Sequence, residues 1–133
     1  MKCSVIYYSA RKTSYCEKAL KKSFPDCGLN LSAAAFAASK EALGAEIIKA
    51  FAQNDVVFTV GGLEFGDGRN VRDILSQAAK SSEPSLCRRL RNENGDDGYL
   101  LRAGRQLLVM LPDEPEQIEA MMRGALPGYI KSL

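Results

Sequence analysis

The stretch Asp55–Val60 (DVVFTV) constrains this chain most. It is a nearly continuous apolar run of strand length. Runs of that kind belong to a central strand covered on both faces, which implies a sheet packed between two layers of helices. Gly61-Gly62 closes the run. Two glycines there let the backbone turn tightly and let another group come close.

Strand and helix signals alternate around this run. Cys3–Tyr8 (CSVIYY) is β-branched and aromatic and reads as a buried first strand. Thr13–Ser23 places Cys16, Ala19 and Leu20 on one helical face, and Pro25-Asp26-Cys27-Gly28 reads as a break. In Leu29–Ala37 the alanines favour helix, but the position between two helices favours a strand; we read it as a strand. Ser39 can cap the next helix, in which Leu43, Ile47 and Phe51 form an apolar stripe. Val71, Ile74, Leu75 and Ala78 mark another helix, with Asn70 as N-cap, and Ser81–Pro84 ends it. Tyr99–Arg102 and Gln106–Leu111 flank Ala103-Gly104-Arg105 as a hairpin. After the turn Pro112–Pro115, Ile118, Met121, Met122 and Ala125 define a last long helix, and Tyr129–Leu133 adds a turn. The pattern predicts an α/β fold, a three-layer α/β/α sandwich on a mostly parallel, mixed sheet, with residues 1–133 as one domain.

Composition excludes several classes of function. A net charge of +2 over 133 residues is too mild for a nonspecific nucleic-acid binder. No apolar stretch approaches the roughly 20 residues that cross a bilayer, and Met1–Ala10 lacks the apolar core of a signal peptide. We therefore expect a cytoplasmic protein that binds neither nucleic acid nor membrane. With no histidine, Ser-His-Asp and Cys-His nucleophile systems are ruled out. Cys3, Cys16, Cys27 and Cys87 form no C-x-x-C pair, and we read them as reduced, mostly buried thiols.

In such sheets ligands gather beyond the C-terminal strand ends. The Gly61-Gly62 turn lies at one of these ends, and a helix N-terminus soon after it would favour an anion. Leu63–Arg69 adds Glu64, Asp67 and Arg69, suited to a polar ligand or a metal–phosphate pair. A plain turn explains the two glycines equally well, and neither G-x-G-x-x-G nor a P-loop Lys-Ser is present. Arg88, Arg89, Arg91, Arg102 and Arg105 could form a cationic rim, although scattered solubilising arginines are the simpler reading. Glu114, Glu116 and Glu119 suit the start of the last helix.

Asn54–Leu75 (NDVVFTVGGLEFGDGRNVRDIL) resembles the glycine motif of the molybdopterin-binding domain family, found in molybdenum-cofactor biosynthesis and competence-damage-inducible proteins. The family pattern is an apolar strand, Thr-Gly-Gly, a polar loop with Asp, a Thr and a helix. NGDDGYLLRAGRQLLVMLPDEPEQIEAMMRGALPGYI is similar to the family's ending, with Leu111-Pro112 and Leu126-Pro127 at its two Leu-Pro points. The two stretches cover a little under half of the chain.

The resemblance implies molybdopterin as a possible ligand, a homo-oligomer (trimer or dimer), and Mg and ATP only if the chain catalyses adenylyl transfer. It implies a ligand site at Gly61, Gly62, Leu63, Glu64, Gly66, Arg69 and Asn70, joined by Leu111, Pro112 and Asp113. This chain departs from the pattern at the site. Val60 replaces the Thr of Thr-Gly-Gly, and Glu64 a glycine. Gly68 or Arg69 stands near the acidic position, Val71 replaces the later Thr, and Asp113 ends Leu-Pro-Gly. Ser9–Thr13 replaces the usual Ser/Gly/Asp loop. Glu64 and Asp113 would repel an anion unless a metal or an arginine offsets them. Asp67 could take over the metal-binding and catalytic role, though a solvated loop aspartate is the simpler reading. The lost positions favour ligand binding over an efficient adenylyltransferase; an inactive interaction module and an active transferase using Asp67 are the alternatives.

Overall fold

The computed structural model describes residues 1–63, 86–124 and 126–133. The predicted helix over Val71–Ala78 with its Asn70 cap, the break Ser81–Pro84, and Ala125 lie outside them.

The chain opens with β1 (Lys2–Tyr8), α1 (Thr13–Cys27), β2 (Asn30–Ala37), α2 (Lys40–Phe51) and β3 (Val56–Val60). β4 (Leu86–Leu90), β5 (Gly98–Ala103), β6 (Gln106–Leu111), α3 (Pro115–Met122) and α4 (Leu126–Lys131) follow. The sheet order is β2-β1-β3-β6-β5-β4. β2, β1, β3 and β6 are parallel, whereas β5 and β4 each run antiparallel to the strand before them. The apolar run thus becomes β3, buried along its whole length near the middle of the sheet. This is the mixed α/β sandwich that the strand-helix rhythm predicts.

Strand alternation divides the core between two faces. Val5, Val56, Phe58 and Val109 meet Leu20, Phe24, Ile118 and Ile130 from α1, α3 and α4. Ile6, Val57, Leu108 and Met110 meet Leu43 and Ile47 of α2 on the other face. Phe24 packs on Phe58 with ring centroids 5.3 Å apart. Ser39 caps α2, its hydroxyl accepting from the Ala42 N–H at 3.1 Å. Glu41 and Lys49 complement the two ends of that helix's dipole.

The structure corrects the sequence reading at four points. First, α1 does not break at Pro25 but runs on to Cys27. The proline removes one helical hydrogen bond, yet Phe24 and Cys27 are both buried in the core. Gly28, at φ 70°, then closes the helix: its N–H donates to Pro25 O at 3.2 Å, and the Leu29 N–H to Phe24 O at 3.0 Å. Second, the last long helix is two helices, with Arg123-Gly124 between them and Pro127 in the first turn of the second. Glycine is a poor helix former and proline suits a helix start, so the chain restarts there. Third, the hairpin loop is two residues, Gly104-Arg105, because Ala103 pairs with Gln106. Fourth, β4 is a strand that the sequence does not announce: Leu-Cys-Arg-Arg-Leu alternates on no regular period.

Candidate functional site at the C-terminal edge of the sheet

The chain leaves β1 toward β2, but leaves β3 toward the opposite side of the sheet, where β6 lies. The crevice between the ends of β1 and β3 is therefore a topological switch point, where open α/β sheets take ligands. Tyr7, Val60 and Leu111 stand level on adjacent strands, so three loops begin together there. They are Ser9–Lys12, Gly61–Leu63 and Pro112–Glu114.

Four residues of this edge have positive φ: Ser9 (46°), Lys12 (55°), Gly61 (93°) and Gly62 (80°). Left-handed backbone at non-glycine residues carries strain that the surrounding structure must hold. The glycines have a demanding local role. A Cβ on Gly62 would lie 2.2 Å from Tyr8 Cδ2, and one on Gly61 would lie 2.7 Å from Tyr8 O. Tyr8 is buried, so its ring has no room to swing away. The close approach that these glycines permit is made by the protein's own first strand. The Gly61 N–H donates to Leu111 O at 2.9 Å, which ties the turn to β6.

Leu111 and Pro112 are buried, so their side chains belong to the core. Asp113 is only 5% exposed. Its carboxylate accepts the Arg11 backbone N–H at 2.8 Å and lies 3.6 Å from Arg11 Nε. The aspartate that would repel an anion is thus offset by an arginine, and the β1 and β6 loops are joined across the end of β3. Lys12 Nζ meets Glu114 at 3.0 Å and Lys22 Nζ meets Glu119 at 3.1 Å. Glu114 and Glu119 therefore do more than suit a helix start: they link α3 to α1. The role of Asp113 was hidden in the sequence because its partner lies 102 residues away and the bond is to backbone.

Asp113→Ala should destabilise the fold by about 1–3 kcal/mol by leaving the Arg11 N–H unpaired, whereas Asp113→Asn, which keeps an acceptor, should cost less than half as much. Urea unfolding of both variants checks this. Equal losses would mean that the charge, not the hydrogen bond, holds the loops together.

Burial pushes the Cys16 thiol up to about 11, with the charges of Asp113 and Glu114 adding to the shift. Burial likewise raises Cys3, to about 12. Both stay protonated at neutral pH, which makes them poor nucleophiles and poor metal ligands. Cys27 is buried as well, and nothing is described of the Cys87 side chain. Burial also raises the Tyr7 phenol, and its hydroxyl has no hydrogen-bond partner among the described residues. Among those residues no cluster of three or more acidic or thiol groups could hold a metal ion.

The five arginines do not form one rim: Arg88, Arg89 and Arg91 border a single pocket, and Arg102 and Arg105 stand apart from it. Leu90 is level with Gly98 and hence with the ligand edge, so Arg88, Arg89 and Arg91 approach that edge two strands beyond β6. Arg102 and Arg105 stand at the opposite end of the sheet. Arg89 pairs with Asp97 at 3.3 Å. A pocket of about 460 Å³ lies between β4 and the α3–α4 pair, bordered by Arg88, Arg91, Met121, Leu126 and Tyr129. Gly61, Gly62 and Leu111 do not line it. Glu64, Gly66, Asp67, Arg69 and Asn70 lie outside the described residues.

No protein-family model matches the chain, and no curated protein matches it. Solved structures do. A protein CinA of unknown function from Thermoplasma acidophilum superposes with a TM-score of 0.75 at 16% identity, over 97% of each chain. The molybdopterin biosynthesis enzyme MoaB from Thermus thermophilus superposes at 0.70 and 13% identity, over 99% of this chain and 97% of that one. The molybdopterin biosynthesis Mog protein from Mycobacterium ulcerans does so at 0.71 and 17%, over 98% and 97%. The chain shares the fold of these three solved structures. Within that fold, the Gly61-Gly62 turn follows the strand next to β1, and the segment 64–85 joins β3 to β4. No helix among the described residues is long and apolar enough to cross a membrane.

Proposed function

We propose that this protein binds molybdopterin, or a nucleotide-like ligand carrying a phosphate, at the C-terminal edge of β1, β3 and β6. The single observation that carries the reading is the fold shared over nearly the whole length of two molybdopterin biosynthesis proteins. The ligand loops are Gly61–Asn70, including Leu63, Glu64, Gly66 and Arg69, and Leu111–Asp113. Leu111 and Pro112 contribute through backbone, since their side chains are buried. Arg11 neutralises Asp113 and leaves the rim tolerant of an anion.

Efficient adenylyl transfer is not part of this reading. Phosphoryl chemistry depends on close positioning and charge compensation, and the Thr, Gly and acidic positions of the family pattern are replaced. Mg and ATP would enter only if Asp67 served as metal ligand and catalytic acid. The second reading, an inactive interaction module, is favoured by one observation: Tyr8 and Ala10 occupy the space that the glycines leave open.

Calorimetric titration with molybdopterin, and with ADP or ATP plus magnesium, tests the proposal. Saturable binding of either kind is expected. No heat of binding at millimolar ligand would overturn it in favour of the interaction module.

A further inference from the structure

The pocket between β4 and the α3–α4 pair has a volume of about 460 Å³. Small-ligand sites span about 300–1,000 Å³ and combine an apolar lining with a few convergent polar groups. Leu90, Met121 and Leu126 supply the apolar surface here, and Tyr129 an aromatic ring.

The charged side follows from alternation along β4. Leu90 packs on the core cluster that α3 and α4 cover, so Arg88, two residues earlier, stands on the same face. Arg89 alternates away and is offset by Asp97 at 3.3 Å. Arg88 and Arg91 form no ion pair among the described residues, and both border the pocket. Arg91 is held by the loop that follows it. The Asn92 N–H donates to Asp97 Oδ1 at 2.8 Å, and Asn92 Nδ2 to Asp96 O at 3.1 Å. Asn92 Nδ2 also donates to Gln117 Oε1 of α3 at 2.6 Å, and Gln117 Nε2 donates to Asn94 O at 3.0 Å. This wall is therefore fixed before a ligand arrives, which spares the cost of ordering it on binding.

Charge selects the kind of ligand. Glu93 borders the pocket too. Two guanidiniums against one carboxylate leave a single positive charge to match, which suits a monoanion better than a phosphate dianion. A carboxylate fits the planar guanidinium fork through two parallel hydrogen bonds. We propose that this pocket binds a carboxylate carried on an apolar or aromatic body. The carboxylate meets Arg88 and Arg91, and the body lies on Met121, Leu126 and Tyr129. Gly61, Gly62 and Leu111 do not line the pocket, so the inference does not depend on the pterin reading.

Amide NMR titration of the full chain with phenylbutyrate, phenylbutanol and acetate is the test. Phenylbutyrate should bind about tenfold or more tighter than either of the others, because only it carries both charge and apolar body. Its shifts should fall at Leu90–Asn94, Met121 and Tyr129. Arg88→Gln and Arg91→Gln, both at exposed positions, should each weaken it about tenfold with the circular dichroism unchanged. Glu93→Gln should tighten binding, which a merely structural role would not do. A short peptide ending in phenylalanine distinguishes two sources of the carboxylate. Tighter binding than phenylbutyrate assigns it to a protein C-terminus and weaker binding to a free organic acid, and either supports the proposal. No saturable binding at tens of millimolar, phenylbutanol binding as tightly as the acid, unchanged affinity in both arginine variants, or shifts confined to Ser9–Lys12 and Gly61–Leu63 would overturn it.

Discussion

Gly62→Val is expected to lower stability by about 3 kcal/mol or more and the melting temperature by about 10 °C or more. Two costs add. The residue has φ 80°, a conformation that β-branched side chains avoid. The new Cβ would also lie 2.2 Å from a ring carbon of buried Tyr8. Gly62→Ala should lose less, because only one carbon is added. A double-mutant cycle with Tyr8→Leu separates the two costs: the penalty at position 62 should shrink in the Leu background, while its backbone part persists. Calorimetric melting of the four proteins measures it. An undiminished penalty would mean that φ alone fixes the glycine. If Gly62→Ala melted with the wild type, the tight packing of this turn against β1 would be wrong.

Phe58→Ala should cost about 3–5 kcal/mol, the range for removing a large ring from a core that cannot collapse. Phe58 is fully buried at the centre of β3 and packs on Phe24 of α1. Its neighbours Val5 and Val109 belong to strands held by ladders on both sides, so they have little freedom to close the cavity. The loss should appear as a shift of the urea midpoint with little change in slope. Ile48→Ala, at an exposed position, should leave the stability of the single chain nearly unchanged in the same experiment.

The central sheet was legible in the sequence because burial on both faces leaves a plain mark. Asp55–Val60 and Cys3–Tyr8 could scarcely be other than inner strands, and the stripe of Leu43 and Ile47 fixed the buried side of α2. β2 was decided by its place in the strand-helix order, against the helix preference of its alanines. What escaped was determined by distant partners. β4 exists because β5 offers it a ladder, and its arginines mask any apolar period. The helix through Pro25 survives because Phe24 and Cys27 are buried, a tertiary gain that local proline rules do not include.

The site followed the same division. Gly61-Gly62 was visible as a special turn, but its meaning was not. Only the fold brings Tyr8 and Ala10 against it and joins Arg11 to Asp113. A buried carboxylate bonded to a backbone N–H leaves no pattern in the sequence. The departures from the family motif at Glu64, Gly68, Arg69 and Val71 fall in the segment between β3 and β4.

The most direct test of ligand binding at this edge is a two-dimensional amide NMR titration with molybdopterin, and with ADP–magnesium. The account predicts that shifts concentrate at Tyr8–Lys12, Gly61–Leu63, Leu111 and Asp113, the loops at the ends of β1, β3 and β6. Shifts confined to the arginine-bordered pocket beside β4, or to the edge of β2, would contradict it.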